Sequence, residues 1–230
     1  MARVQGVLVF RSWGGRRRGA GRPPGRGRGA VAHRRRAAHD PRTPVHVTLR
    51  AAAGIPSLRS GHVFGAVRGA LAAASRRTFR VLHYSVQADH VHLLVEAEEG
   101  PSLIRGCQGL SVRVAKAVNR VLGRRGAVWG DRYHARPLRT PREVRNALVY
   151  VLQNWFKHVP GARGRDPRSS AAWFRGWRTP PAEVLGPSPV QPPRTWLARV
   201  GWLRYGRLDA KARPRGTPRS AASRVIPARG

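Results

Sequence analysis

Acidic side chains are scarce in this chain: ten Asp and Glu stand against 45 Lys and Arg, a formal net charge of +35 over 230 residues. So many like charges repel one another in a compact body, and a polyanionic partner is the natural counterweight. Nucleic acid comes first, because phosphate contacts release counterions whatever the base sequence. An anionic membrane surface comes second, but no long helix with one basic and one apolar face stands out. Cysteine is nearly absent. Cys107 is the only one, which excludes an internal disulfide framework and a Cys-based zinc site and fits a reducing cytoplasm. Long apolar runs are missing too: nothing approaches the roughly 20 residues of a membrane span. The opening MARVQGVLVF is too short for a secretory leader's apolar region and cleavage site. The expected location is the cytoplasm, without membrane contact.

Residues 1–43 hold eleven Arg before Asp40 and eight Gly. Without apolar periodicity they bury too little to offset their ordering entropy, and they read as a disordered basic arm. Residues 44–160 are patterned differently. Val45, Val47 and Leu49 alternate with polar residues as in a half-buried strand, and Val63, Phe64, Val67, Leu71 and Ala74 recur at helical spacing. FRVLHYSVQ (79–87) and HVHLLVEAE (90–98) form a strand hairpin around Ala88-Asp89. A helix capped by Ser102 follows, with Leu103, Cys107, Leu110, Val114, Ala117 and Val121 as its apolar stripe. Residues 128–138 suit an extended segment. Thr140, Pro141 and Glu143 make a capping box with the favoured proline, opening a helix that runs to about His158. The order β-α-β-β-α-β-α predicts an α+β domain, ferredoxin-like, with an antiparallel sheet and helices on one face. Residues 161–230 form an irregular Pro/Arg/Trp-rich extension. Its Trp173, Trp177, Trp196 and Trp202 read as packing residues by default, with base stacking as the alternative.

Two patterns carry chemistry. In a strand, alternate side chains share a face, so His90 and His92 project together while Val91, Leu93 and Val95 enter the core. Two imidazoles so placed make a rigid bidentate metal clamp, although taken alone they read as two satisfied sheet histidines. On the last helix, Tyr150 and Asn154 are four apart and share a stripe distinct from Val144, Leu148, Val151 and Trp155. Taken alone, that tyrosine reads as a packing residue with its hydroxyl in water.

Together, His-x-His on a strand and Tyr-x-x-x-Asn on a later helix resemble the single-tyrosine HUH transposases, in particular the bacterial REP-associated tyrosine transposases. The resemblance covers about residues 44–160, through PVHVTLR, YSVQADHVHLLVE, VWGDRYHAR and EVRNALVYVLQNWFKH. It departs where many relatives place a proline after the helix asparagine, since Trp155 follows Asn154. That departure leaves Gln153 as a rival third metal ligand. The resemblance implies a metal-dependent enzyme that cleaves and rejoins single-stranded or hairpin DNA, hence DNA transposition or recombination. Tyr150 is the implied nucleophile, forming a 5′-phosphotyrosine intermediate. His90, His92 and Asn154 are the implied ligands of a divalent ion, Mg²⁺ or Mn²⁺, with Zn²⁺ left open by ligand identity. A phenol's pKa near 10 calls for positive surroundings if the phenolate is to attack. Arg132, Tyr133, Arg136 and Arg139 are expected to contact DNA, His83, Tyr84 and His134 lie near the same elements, and a homodimer is open.

Two rival readings belong to other classes. A noncatalytic nucleic-acid binder on a ferredoxin-like sheet would need sheet-face aromatics, where this sequence has histidines. A zinc hydrolase built on His-x-His lacks an obvious third ligand, although Glu96 shares the histidine face.

Overall fold

The computed structural model describes residues 38–159, 161–181 and 186–214. The expected basic arm, apart from residues 38–43, lies outside them. Four strands, β1 (Val45–Arg50), β2 (Phe79–Val86), β3 (His90–Ala97) and β4 (His134–Pro137), form one sheet in the order β2-β3-β1-β4. Every neighbouring pair is antiparallel. Between them run α1 (Gly61–Ala72) and α2 (Gly100–Val121), and after β4 come α3 (Pro141–Gln153) and the single-turn α4 (Trp155–His158). This is the α+β, ferredoxin-like order that the periodicity predicts. Among the described residues no helix is long and apolar enough to cross a membrane.

Strand alternation sorts the side chains into two cores. Val45, Val47, Leu49, Val91, Leu93 and Val95 join Val63, Val67, Leu110 and Val114 on the face covered by α1 and α2. Helices on that face match the expectation; α3 goes to the opposite face. There Leu82 and Leu94 pack with Val144, Ala147, Leu148 and Leu152. The reason lies in α3 itself, which is apolar nearly all round, with Val144, Ala147, Leu148, Val149, Val151 and Leu152 all buried. Such a helix has to be covered on both sides. The sheet covers one, and Phe174, Trp177, Leu197 and Trp202 of the C-terminal extension cover the other.

Several local expectations shift. The α2 stripe continues from Val114 to Val118 rather than Ala117, and Val121 is exposed, because the true helical period of 3.6 outruns a strict 4-3 alternation. The residue before α2 is Glu99; Ser102 lies within the first turn and its Oγ donates to Glu99 Oε1 at 3.0 Å. The Thr140–Glu143 capping box of α3 is present, with Glu143 N donating to Thr140 Oγ1 at 3.2 Å. Strand β4 keeps only four residues of the 128–138 run, and Trp129 makes an isolated bridge to Ala51. The long last helix breaks at Asn154 into α3 and α4. Cys107 is buried, as its stripe requires.

Candidate active site

The site occupies the α3 face of the sheet. Thr48 pairs with His92 and Arg50 with His90 across β1–β3, while Ser85 pairs with His92 across β2–β3. His46, Thr48, His90, His92 and Ser85 therefore share a face beneath α3. The His90 and His92 rings meet edge to face with centroids 4.6 Å apart. Tyr150 stands on His92 with ring centroids 4.9 Å apart, and 5.7 Å from the His46 ring. One helical turn beyond Asn154, His158 places its ring 5.2 Å from that of His90. Tyr150 on α3 and His158 on α4 thus both stand against the histidines, with Asn154 between them at the break of the two helices. Lys157 Nζ lies 4.8 Å from the centre of the Tyr150 ring.

Hydrogen bonds orient the imidazoles. Asp89 Oδ1 accepts from His90 Nδ1 at 2.6 Å, which leaves Nε2 of His90 as the lone-pair nitrogen. That bond, more than the Arg50 partner, holds Asp89 below the usual carboxylate range. His92 Nδ1 is engaged by Thr48 Oγ1 at 3.1 Å. Burial first, then electrostatic coupling to the neighbouring His46, His90, His158 and Lys157 side chains, pushes His92 well below its ordinary pKa. Burial lowers His46 to about 4, helped by Arg136 and His134, and also lowers His158. These rings are neutral at pH 7, the form that ligates metals.

The buried polar atoms test whether a divalent ion fits here. His92 Nε2 and the side-chain Oδ1 and Nδ2 of Asn154 are buried without a hydrogen-bond partner, a costly arrangement for polar atoms; of the two amide atoms only Oδ1 offers lone pairs. Among the described residues no group of three His, Cys, Asp or Glu is placed to hold a metal, so a third donor beside the His90–His92 clamp has to be of another type. An amide oxygen qualifies, and the donor set suits a divalent ion. Gln153 Nε2 donates to Ala210 O at 2.6 Å, while its Oε1 is buried without a hydrogen-bond partner.

The remaining candidates separate. Arg132, Arg136 and Arg139 are exposed; Arg136 Nη2 lies 3.8 Å from Glu143 Oε1. Tyr133 corrects the expectation of a DNA contact: it is buried in the core of the α1–α2 face, because the chain turns it inward just before β4. His134 is exposed at the β4 edge. His83 is buried against Phe174 and bonded through Nδ1 to Ser170 Oγ at 3.1 Å, away from the clamp, and Tyr84 is fully buried. Glu96 is ion-paired with Arg80 and accepts the backbone N–H groups of Arg194 and Thr195, which ties the extension to β3 and occupies Glu96 itself. Trp177 and Trp202 are buried, Trp173 is partly covered, and Trp196 is half exposed beneath Arg204. His46, His158 and Lys157 were not singled out by motif. His46 was findable from β1 alternation and His158 from the 150-154-158 helical stripe; only the sheet register brings them to the clamp.

No family model matches this chain, and no curated protein matches it. Among solved structures, the chain is similar to the structure of a REP-associated tyrosine transposase bound to a REP hairpin, at 18% identity, over 56% of this chain and 75% of that one, with a TM-score of 0.46.

Proposed function

We propose that this chain is a DNA strand transferase of the single-tyrosine HUH type, a transposase or a domesticated relative, acting on single-stranded or hairpin DNA. The observation that supports it most is Tyr150 standing on His92 at 4.9 Å between ring centroids, beside buried metal-ligating atoms that have no protein partner. In this reading Tyr150 Oη forms a bond to the scissile phosphorus as the bond from phosphorus to the 3′ oxygen breaks. The products are a 5′-phosphotyrosine and a strand ending in a 3′-hydroxyl. A 3′-hydroxyl later attacks the phosphotyrosine and restores Tyr150, so bond energy is conserved.

His90, His92 and Asn154 would hold Mg²⁺ or Mn²⁺, which when bound supplies Lewis-acid stabilisation of the phosphate. Placing the nucleophile and the amide donor one helical turn apart fixes attack geometry relative to the clamp. Lys157, with its ammonium over the Tyr150 ring, balances the charge of the phenolate. Exposed Arg132, Arg136 and Arg139 hold DNA phosphates near the β4 edge. An open-sheet binding module is disfavoured by a specific observation: the face such a module would present to bases is covered by α3 and the extension.

The test is a hairpin-bearing single-stranded oligonucleotide, labelled 3′ of the cut, incubated with the full chain and Mn²⁺ or Mg²⁺ and resolved under denaturing conditions. A labelled covalent adduct is expected, absent in Tyr150→Phe. An adduct that persists in Tyr150→Phe removes Tyr150 as nucleophile; metal-independent binding without cleavage replaces the enzyme with a binding protein.

A further inference from the structure

Gln87 lies just past β2, in the hairpin that leads into the clamp. Its backbone N–H donates to His90 O at 2.8 Å, and two residues earlier Ser85 stands opposite His92. Strand alternation therefore puts Gln87 on the clamp face, cross-strand from His90, where facing Cβ atoms are about 4.5–5.5 Å apart. The side chain is fully buried, so it is no solvated surface amide.

A relay fixes which end of the amide points where. Asp166 accepts from both terminal nitrogens of Arg59, at 2.8 and 3.1 Å, and from Arg168 N at 2.9 Å. Ion-paired with Arg59, its carboxylate serves here only as an acceptor. The single Ser85 hydroxyl hydrogen is thereby directed to Asp166 Oδ2 at 3.3 Å, and Ser85 Oγ in turn accepts from Gln87 Nε2 at 2.6 Å. The Gln87 carbonyl is left over: Oε1 is buried with no hydrogen-bond partner. The buried side-chain atoms without a hydrogen-bond partner include Oε1 of Gln87 after β2, Nε2 of His46 on β1, Nε2 of His92 on β3, Oε1 of Gln153 on α3 and Oδ1 of Asn154 after α3. A cation takes lone pairs from several directions at once, as a single protein donor cannot.

We propose that the Gln87 side-chain carbonyl is a further oxygen donor to the divalent ion of the His90–His92 clamp, with Arg59, Asp166 and Ser85 as the positioning relay behind it. This rests on the metal reading given above. A second amide oxygen makes the set richer in hard donors and favours Mn²⁺ or Mg²⁺ over a softer ion.

The experiment is Mn²⁺ titration of the full chain without DNA, followed by the electron paramagnetic resonance signal of free Mn²⁺, so that turnover plays no part. Gln87→Leu is expected to weaken Mn²⁺ binding about tenfold, Gln87→Glu to restore or tighten it, and Ser85→Ala to weaken it severalfold with Gln87 still in place. Should Gln87→Leu not fold by circular dichroism, Gln87→Asn, which withdraws the carbonyl by one methylene, carries the same expectation. Wild-type binding that is lost in His92→Ala but unchanged in the folded Gln87 variant overturns Gln87 alone. No Mn²⁺ binding by the wild type overturns this inference together with the metal reading.

Discussion

Among the described residues, burial is the largest cause that lowers His83, His46 and His92. His83 is the clearest: desolvation lowers it from 6.5 to about 3, and Ser170 Oγ is its hydrogen-bond neighbour. Because the folded value lies below the unfolded one, the unfolded chain gains a proton first as pH falls, and folding loses stability progressively from about pH 6.5 down toward 3. His46, lowered to about 4, and His92, lowered in the same direction, add slope of the same sign. Thermal unfolding monitored between pH 7.5 and 4.5 should show the midpoint falling steadily. His83→Gln, which stays neutral and keeps a polar group for Ser170, should flatten that slope; an unchanged slope would mean that His83 is not buried as described.

Helix α2 offers a contrast between two glycines in one element. A Cβ on Gly106 would lie 2.2 Å from the Phe79 ring, because α2 crosses β2 closely there. At Gly109 a Cβ meets nothing within 4 Å. Gly109→Ala should stabilise by up to about 1 kcal/mol through helix propensity, whereas Gly106→Ala should cost about 1–3 kcal/mol from overpacking. Denaturant midpoints of the two variants settle it, and equal midpoints would show that α2 does not approach β2 as closely as described. The same close packing holds the sheet that carries the clamp. On the other face the capping box fixes where α3 begins, and hence which turn presents Tyr150.

At the scale of the molecule, charge dominates. For the DNA binding proposed above, a net of +35 predicts affinity that falls with salt, with the slope of log affinity on log salt near −0.7 per phosphate neutralised on a single strand. All eleven arginines before Asp40 lie within residues 1–37. Deleting that segment should weaken single-stranded DNA binding at low salt and make the slope shallower by several units. At saturating protein the proposed Tyr150 adduct should survive, because His90, His92, Tyr150 and Asn154 all lie beyond the deleted segment. Filter binding at several salt concentrations reads the slope, and an unaltered slope would place the phosphate contacts elsewhere.

Much was legible in the residues because strand and helix periods are local properties. The Val45-Val47-Leu49 alternation, the hairpin through Ala88-Asp89 and the Thr140 cap each depend on neighbours a few positions away, and the element order follows from them. The His90–His92 pair and the Tyr150–Asn154 spacing were visible for the same reason. Tertiary structure alone decided which face of the sheet α3 would cover, since an all-round apolar helix can be satisfied on either side until the C-terminal extension closes over it. It also decided that Tyr133 is core, that Gln153 Nε2 bonds Ala210 O, and that His46, Lys157 and His158 gather around His90, His92 and Tyr150. Those neighbours come from strands and helices distant in sequence, and only strand register and helix docking bring them to one place.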